Sequence, residues 1–398
     1  MNNPNIVLVD YEATCAAGSG MDAIRNAVSQ QRTGLQPSNF QDLGLHTWLG
    51  AVSGLDDFCW PDSESSWKSR NNALINIGLH QGSFLNSYEK MKSAFGADRI
   101  GVIMGSSTSS IDRSEEAYCN LEADSVLPHE YNQSKVLNPH APGLYLAHLL
   151  GSSGPNLTIN TACSSSAKVF ASAKRWLSLG LVDAVVVAGA DTLGMSVFHG
   201  FNSLQLVSEN PCRPFDAQRD GINLGEAAGF ALLARAEDVD DYSNIMLSGY
   251  GESSDAHHMS HPHPSGEGAR LCIEQALDVS GLQTTDIDYI NLHGTASKAN
   301  DLIEGNLVGR LFGKTTMASS TKGWTGHTLG AAGILEAIFA IEALQSGTVP
   351  GTLNLEQVDP DIDIHMVAEN RNSDLNHVMT NSFGFGGNNA CLIFSKYP

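Results

Sequence analysis

The sequence is poor in positive charge. Its 398 residues include 22 Lys and Arg against 43 Asp and Glu, which gives a formal net charge of −21, and charged residues of both signs make up only 16% of the chain. A surface of this sign repels phosphate backbones and anionic lipid headgroups. Nucleic-acid or membrane binding is therefore not expected as the main activity, although a protein partner remains compatible with the composition.

Paired cysteines and long apolar runs are also missing. The seven cysteines are odd in number and show no CxxC spacing, so we predict neither a disulfide framework nor a structural zinc site, and a reducing compartment fits. The N-terminal segment has no basic stretch before its short apolar run, and charged residues interrupt the apolar segments before they reach the length of a bilayer span. These features predict a cytoplasmic protein.

What the sequence does contain is the pattern of an α/β fold. Apolar residues make up 42% of the chain, and β-branched runs such as DAVVVAGA alternate with helical stretches such as SAKVFASAKRWLSLG. This alternation predicts parallel strands covered by helices. A charged break near 233–244 divides the chain into a first half, 1–240, and a second half, 241–398, which repeats the order of strands and helices. An internal duplication is expected, with a polar cap inserted into the first half at 50–98 and 110–148.

Cys163 is the candidate nucleophile. It follows a β-branched strand and precedes Ser164, Ser165 and Ser166, which open a helix. The free N–H groups and the positive dipole end of a helix start stabilise a thiolate, which is the form that attacks thioesters. Because cysteine is also common as a small buried apolar residue, the position alone does not distinguish a nucleophile from a core residue.

Two histidines lie at similar positions in the second half. His293 follows a predicted strand in NLHGT, and His327 follows another in STKGWTGHTLGAAG, with Lys322 five residues earlier. Active sites gather at the carboxyl ends of parallel strands. A single histidine is more often structural, but two at corresponding turns together with a cysteine at a helix start favour catalysis.

A glycine-rich loop, NSFGFGGNNA, lies near the end of the chain. Gly384, Gly386 and Gly387 free the backbone around Phe385 to bring N–H groups close to a substrate oxygen, which predicts an oxyanion hole. A plain glycine hairpin is the alternative. The spacing does not match a dinucleotide fingerprint.

A histidine-rich segment occupies 253–268, with the sequence SSDAHHMSHPHPSGEG. Imidazoles at this density are able to bind a transition metal. The candidate ligands are Asp255, His257, His258, His261 and His263. Two prolines make the run irregular and remove any helical spacing of the histidines, so we predict no metal site and a loop that packs against Phe385.

Four of these motifs occur in the order that is typical of one enzyme family. They are TACSSS at 161–166, HGT at 293–295, STKGWTGHTLGAAG at 320–333 and NSFGFGGNNA at 381–390. Together they resemble the elongating β-ketoacyl-acyl carrier protein synthases of the thiolase fold, and the resemblance runs from about residue 100 to the end. It implies a five-layer αβαβα sandwich of two duplicated βαβ halves, with the nucleophilic cysteine in 1–240 and the histidine pair and lysine in 241–398.

The resemblance implies a decarboxylative Claisen condensation. Cys163 takes the growing acyl chain, while His293 and His327 receive the malonyl thioester carbonyl and stabilise the enolate that forms as CO₂ leaves. Two neutral imidazole donors aimed at one oxygen stabilise charge where it develops. Lys322 is expected to pair with Glu304 and to hold the two histidines in position.

The resemblance also assigns the substrate contacts. The backbone N–H groups of Cys163 and Phe385 are expected to form the acyl oxyanion hole, and Phe385 to gate entry. The other contacts fall to four side chains: Thr295 and Ser297 on a phosphopantetheine arm, and Thr108 and Phe201 in the acyl pocket. No resident cofactor is expected, because phosphopantetheine arrives on the acyl carrier protein.

Two kinds of protein partner follow. The family implies a homodimer, and a heterodimer with a ketosynthase-like sister subunit is equally compatible with the sequence. The acyl carrier protein is acidic, so an acidic enzyme needs a local basic patch to bind it. Lys68 and Arg70 are the candidates, and an ordinary solvated surface is the alternative.

The chain departs from the family pattern at several positions. GSSTSS at 105–110 is more polar than the usual glycine and apolar run, GGNN replaces the commoner GGTN, and the N-terminal segment lacks a TGxG opening. These departures favour an accessory pathway, such as one that makes polyenes, over primary fatty-acid synthesis.

Two other functions compete with condensation. A degradative thiolase or other non-condensing acyltransferase would share the thioester intermediate, but a thiolase usually carries a second catalytic cysteine near its C-terminus, and Cys391 lies in a strand better suited to packing. A non-catalytic subunit that shapes a partner's tunnel should have lost the nucleophile, whereas Cys163 is present.

Overall fold

Ten strands in two sets of five organise the chain. The computed structural model describes residues 4–38, 44–121 and 133–397. The strands of the first half are β1 (Ile6–Cys15), β2 (Ile100–Gly105), β3 (Asn156–Ile159), β4 (Ala184–Asp191) and β5 (Ala227–Arg235). Those of the second half are β6 (Ile245–Ser254), β7 (Tyr289–Asn291), β8 (Met317–Ser319), β9 (His377–Gly384) and β10 (Asn388–Lys396).

The two sets share one topology. The spatial order is β3-β2-β4-β5-β1 in the first half and β8-β7-β9-β10-β6 in the second. In each half the first three strands of that order are parallel and the next two pairings are antiparallel. The halves join where Val7 of β1 lies opposite Met246 of β6. The predicted duplication is therefore confirmed strand by strand.

Helices cover and separate the two sets of strands. They are α1 (Met21–Ser29), α2 (Arg70–Leu79), α3 (Phe84–Phe95), α4 (Ile111–Cys119), α5 (Ala141–Leu150), α6 (Ser165–Ser178), α7 (Met195–Ser203), α8 (Glu267–Ser280), α9 (Lys298–Phe312), α10 (Lys322–Thr325) and α11 (Ala332–Ser346). Helices α6 and α11 pack between the two sets, α2, α3 and α5 cover the outer face of the first, and α8 and α9 that of the second. This is the five-layer sandwich that the family resemblance implied.

Short elements complete the fold. The minor strands are Gly18–Ser19, Gln36–Pro37, Trp48–Gly50, Leu224–Gly225, Thr348–Val349, His365–Met366 and Arg371–Asn372. The short helical turns are Asp62–Trp67, Ala97–Arg99, Gln133–Leu137, Ala236–Asp238, Thr284–Asp286, Leu329–Ala331 and Phe385–Gly387.

The segments 50–98 and 110–148 differ from the expected cap. Helices α2, α3 and α5 come from these segments and pack directly on β1, β2 and β5. They form a layer of the sandwich rather than a cover over it, since their apolar faces are buried against the sheet. Residues 122–132, part of the same expectation, lie outside the described residues. The division of the chain into domains at residue 240 stays a prediction.

Helix α11 is a long, strongly apolar helix. Together with the turn before it, Leu329–Ser346 is long and apolar enough by composition to cross a membrane, even though it contains Glu336 and Glu342. However, 83% of that segment is buried inside the protein. A helix that is apolar on nearly every face is expected between two sheets, where it has no solvent side.

Candidate active site

A cleft at the carboxyl ends of the parallel strands brings the predicted catalytic residues together. It encloses about 790 Å³ when its solvent-open entrance is counted. Cys163, His293 and His327 lie in it, and their sulfur and ring nitrogens lie within 4.8 Å of one another. Cys163 comes from the first half of the chain and both histidines from the second, so the cleft is formed by the duplicated halves jointly.

The turn before α6 presents the Cys163 sulfur to the cleft. Ala162 has a left-handed φ of 52°, which few residues other than glycine adopt. The Thr161 N–H donates to Ser165 Oγ at 2.9 Å, and that hydroxyl donates to the Ala162 carbonyl at 2.6 Å. These bonds stabilise a tight strand-to-helix turn that leaves Cys163 only 5% exposed.

His327 lies across the cleft from the cysteine. Its backbone N–H donates to the Asn223 carbonyl at 2.7 Å, and its own carbonyl accepts from the Gly225 N–H at 3.0 Å. These bonds hold the ring so that Nε2 is 3.1 Å from Cys163 Sγ. Within the described residues, Nδ1 has no hydrogen-bond partner. Nothing in this surrounding therefore favours one tautomer of the ring over the other.

His293 is held by the turn that follows β7. Glu304 accepts the backbone N–H groups of His293 and Gly294, each at 2.8 Å. Gly294 has a φ of 41°, and a Cβ there would lie 2.6 Å from the Ser320 side chain, so glycine is required. The two histidine rings meet edge to face, with centroids 5.5 Å apart.

Lys322 pairs with Glu336, and the expected pair with Glu304 is wrong. The Lys322 ammonium donates to Glu336 and to the His293 carbonyl, and it lies 3.4 Å from His293 Nδ1. Glu304 is unavailable because backbone N–H groups occupy both of its oxygens. Burial raises the pKa of Glu304 and of Glu336 to about 7. The backbone N–H groups on Glu304 and the Lys322 ammonium beside Glu336 act in the opposite direction. A carboxylate in an apolar helix such as α11 needs a partner when it is buried, but the sequence does not say which residue that partner is.

Burial sets the protonation of the reacting groups. It lowers the pKa of His293 and of His327 well below the usual range, and the nearby Lys322 ammonium lowers both further. It raises the pKa of the Cys163 thiol to about 11, although a hydrogen bond from the Phe385 N–H and the Lys322 charge act in the opposite direction. Burial therefore opposes the thiolate that the helix start favours, and it favours a neutral thiol beside two neutral imidazoles.

The glycine loop forms one wall of the cleft. The Phe385 N–H points at the Cys163 sulfur, and the Phe385 ring lies against Phe201 with centroids 5.5 Å apart. The Gly386 N–H donates to the Met259 carbonyl at 2.7 Å. The histidine-rich segment therefore packs along this loop next to Phe385, and its predicted contact with Phe385 itself stays a prediction.

The predicted substrate contacts divide into two groups. Thr295 and Ser297 line the cleft, where their hydroxyls also bond each other at 2.9 Å, and Phe201 lines it beside Phe385. Thr108 is not among the residues that line this cleft, so its predicted place in the acyl pocket stays a prediction. The Thr108 side chain instead donates to Asp191 at 2.7 Å.

Asp191 is a functional candidate that the sequence reading missed. Its fully buried carboxylate accepts six hydrogen bonds, from the backbone or hydroxyl groups of Ser106, Ser107 and Thr108 and from the Gly330 N–H. It therefore ties the polar GSSTSS segment to the turn that follows His327. An aspartate that ends an otherwise apolar strand was the available signal.

The two predicted docking cations have different surroundings. Lys68 is exposed. Arg70 is not a free surface cation, because it pairs with the buried Glu226 at 2.7 Å and with Asp56. Arg70 is therefore unable to leave Glu226 without exposing a buried carboxylate to loss of its counter-charge, and its role in carrier docking stays a prediction.

Metal binding has one candidate group of three ligands in the described part of the chain, namely Cys163, His293 and His327. A thiolate and two imidazoles are ligands that zinc accepts. The thiol here is neutral and the same atoms are arranged for acyl transfer, so the expectation of no metal stays a prediction. In the histidine-rich segment, His258 Nδ1 and His261 Nδ1 are 3.2 Å apart and bond Ser260.

The fold and the site together define an enzyme with a cysteine nucleophile and a histidine pair. Residues 83–239 match the family description "Beta-ketoacyl synthase, N-terminal domain", and residues 245–356 match "Beta-ketoacyl synthase, C-terminal domain". The chain belongs to the β-ketoacyl synthase family.

Two curated relatives share one name. The 3-oxoacyl-[acyl-carrier-protein] synthase 2 of Vibrio harveyi is 35% identical over 319 residues, which cover 75% of this chain and 76% of that protein. The protein of the same name from Rhizobium meliloti (strain 1021) is 39% identical over 280 residues, covering 66% of this chain and 65% of that protein.

Two solved structures match the whole fold. One is a ketosynthase, ApeO, in complex with its chain length factor, ApeC, from Xenorhabdus doucetiae, with a TM-score of 0.88, 35% identity and coverage of 99% of this chain and 98% of that chain. The other is the ishigamide ketosynthase/chain length factor, with a TM-score of 0.89, 25% identity and full coverage of both chains.

The protonation of Cys163 predicts a pH profile for its alkylation. Because the raised pKa favours the thiol, the reactive thiolate is scarce at pH 7, and alkylation of Cys163 by iodoacetamide should increase about tenfold per pH unit up to at least pH 9.5. Peptide mass spectrometry follows the modified residue, and Cys163→Ala shows the background from other cysteines. A rate that levels off near neutral pH would instead indicate a thiolate and imidazolium pair.

Proposed function

We infer that this chain is a ketosynthase that condenses an acyl group, held on Cys163, with a malonyl group on an acyl carrier protein, releasing CO₂ and a 3-oxoacyl product. The observation that carries this function is the contact of 3.1 Å between Cys163 Sγ and His327 Nε2, with His293 beside them. An acyl transfer alone needs the cysteine and one base. The second buried imidazole fits the enolate step, in which an oxygen gains negative charge.

Acyl loading uses the neutral thiol and the neutral His327. Nε2 accepts the thiol proton as sulfur attacks the thioester carbonyl, and the oxyanion that forms meets the N–H groups of Cys163 and Phe385. The tetrahedral intermediate then expels the carrier thiolate, which takes the proton from His327. Because no partner of His327 Nδ1 is found among the described residues, the ring is able to accept at Nε2 in this step and to donate from it in the next.

Condensation uses both rings as donors. The Lys322 ammonium, 3.4 Å from His293 Nδ1, makes that nitrogen the acceptor and leaves the ring proton on Nε2, toward the cleft. With the malonyl carbonyl oxygen between the two Nε2 atoms, loss of CO₂ leaves an enolate whose charge these N–H groups stabilise. The enolate carbon then attacks the acyl carbonyl, the Cys163 thiolate leaves, and a proton from solvent water restores the thiol after the product has departed. One such donor is commonly worth about 3 kcal/mol in the transition state.

The phosphopantetheine arm fits the cleft without a resident cofactor. Thr295 and Ser297 face the cleft next to His293, where short hydroxyls are able to hydrogen-bond the amides of the arm. The arm would therefore be brought by the carrier protein. A thiolase reaction fits the geometry less well, since Cys391 is fully buried in β10 and the cleft lining contains Cys163 as its cysteine.

A ketosynthase-like partner subunit would complete the enzyme. Strand β3 is the edge of the first half, and Leu157 in it is 37% exposed. An edge strand with free backbone groups and an exposed apolar side chain favours pairing with another chain. The two solved neighbours are described as pairs of a ketosynthase and a chain length factor, which supports a heterodimer. With the departures from the family at 105–110, this supports an accessory pathway in the cytoplasm, such as polyene synthesis.

Removal of the nucleophile tests the reaction. Purified protein given acyl-loaded and malonyl-loaded carrier should release CO₂ and form a 3-oxoacyl product, and Cys163→Ala should abolish the condensation. His293→Ala should lower the rate by roughly 10²–10³, because one donor to the enolate is lost. Cys391→Ser is the matched control and should keep the rate if it folds. Condensation that persists in Cys163→Ala would exclude the mechanism.

The pair of Lys322 and Glu336 tests how His293 is positioned. Lys322→Met leaves Glu336 buried without a counter-charge and should destabilise the protein by about 3–5 kcal/mol in urea unfolding. The double variant Lys322→Met/Glu336→Leu should regain most of that stability, yet its condensation should stay slow because His293 Nδ1 has lost its donor. A double variant that recovers both stability and rate would make the pair purely structural.

The edge of β3 tests the quaternary structure. Tagged in its native host, the chain should co-purify with an equal amount of a second subunit of similar size. Native mass spectrometry of the Leu157→Lys variant should instead show the chain as a monomer, without the second subunit. A homogeneous assembly of two copies of the 42.3 kDa chain would instead establish the homodimer.

A further inference from the structure

The cleft entrance is framed by two segments whose side chains alternate in direction. His258 and Ser260 line the cleft, and Met259 between them does not line it but is 77% exposed. On the other side Ser297 and Ala299 line the cleft, and Lys298 between them is exposed. The entrance is thus flanked by an outward methionine and an outward lysine.

Lys298 is a free cation in a protein whose surface is mainly acidic. Among the residues that the structure describes, its ammonium makes no ion pair with a carboxylate. Arg219, whose guanidinium donates to the Lys298 carbonyl, is by contrast held by Asp359 and Asp301. Lys298 therefore offers a positive charge at the entrance that no internal partner uses.

The apolar side chains at the entrance are unusually exposed. Met259 is joined there by Leu204, which follows α7, lines the cleft and is 46% exposed. Large apolar side chains that are exposed beside a functional opening mark contact surfaces, since association removes them from water. We call Leu204, Met259 and Lys298 the docking collar.

We propose that the docking collar binds the body of the acyl carrier protein while its phosphopantetheine arm enters the cleft. This rests on the proposed function, because the arm is tethered to the carrier and reaches Cys163 only when the carrier lies against the entrance. An acidic carrier approaching a chain of net charge −21 needs a local positive field, which Lys298 supplies. Leu204 and Met259 supply an apolar contact that does not depend on charge.

Comparing the kinetics of carrier-bound substrates with those of small thioesters distinguishes an effect on carrier docking from an effect on the condensation itself. Lys298→Glu should raise the KM for malonyl-loaded carrier roughly tenfold with little change in kcat, because a repulsive charge replaces an attractive one. Added salt should raise the KM of the wild type and lower that of Lys298→Glu. Met259→Ser should raise the KM severalfold with the salt dependence of the wild type. Neither variant should alter turnover of malonyl and acyl thioesters of N-acetylcysteamine, because neither residue lines the cleft.

Two control variants locate the surface. Leu179→Ser changes an apolar residue that is 76% exposed just after α6, and Lys68→Glu reverses the other candidate cation. Both should keep the wild-type KM for the carrier. A raised KM in Lys68→Glu with an unchanged KM in Lys298→Glu would overturn the proposal, as would an equal loss with the small thioesters.

Direct binding keeps this test independent of the reaction. Fluorescently labelled carrier should bind the Cys163→Ala protein, and Lys298→Glu in that background should weaken binding by the same factor as the rise in KM. If the wild type fails to condense either kind of substrate, the proposed function fails. The binding measurement then still decides whether the collar is a carrier surface, and equal binding with and without Lys298→Glu would reject it.

Discussion

The close crossing of α6 and α11 is the constraint on which the site depends. A Cβ at Gly333 of α11 would lie 2.4 Å from the backbone nitrogen of Ala167 in α6, so the two helices touch through their backbones. Each helix follows the equivalent strand of its half, β3 or β8. Cys163 lies just before one helix and His327 just before the other, and their contact of 3.1 Å is therefore set by the helix spacing. Duplication thus places two helix starts, and the two turns that precede them, on opposite walls of one cleft.

Buried polar groups hold those turns in place. Glu304 fixes the His293 turn through backbone N–H groups, Asp191 fixes the turn after His327, and the ion pair of Lys322 and Glu336 lies beneath both rings. Each carboxylate is buried, and protein donors reach both oxygens of Glu304 and of Asp191, whereas in the described part of the chain only Oε1 of Glu336 has a hydrogen-bond partner. Such a network is costly to break, because every lost partner leaves a charge without solvation. The same burial keeps both imidazoles neutral, which is the state that serves first as a base and then as a donor.

Much of the fold and of the active site could be predicted from the sequence, for identifiable physical reasons. The succession of strands and helices along the chain, its duplication and the places of Cys163, His293 and His327 at strand ends follow from apolar periodicity and from the turns that interrupt it. The ion-pair partner of Lys322 could not be predicted from the sequence, because Glu304 and Glu336 both lie on helices and only packing decides which one faces the ammonium. The hydrogen bond from the Thr108 hydroxyl to Asp191 could not be predicted for a similar reason, since it joins segments that are far apart in sequence. Arg70 looked like a surface cation because the buried Glu226 lies far from it in sequence. The protonation of Cys163 depends on burial, which a helix-start pattern does not report.

The shielded thiol also bears on chemical damage. Peroxides attack thiolates, and the first oxidation product of a cysteine forms fastest where the sulfur is both ionised and open to solvent. Cys163 is neither, whereas Cys59 and Cys119 are exposed. Oxidative stress should therefore modify these two surface sulfurs before it reaches the shielded nucleophile.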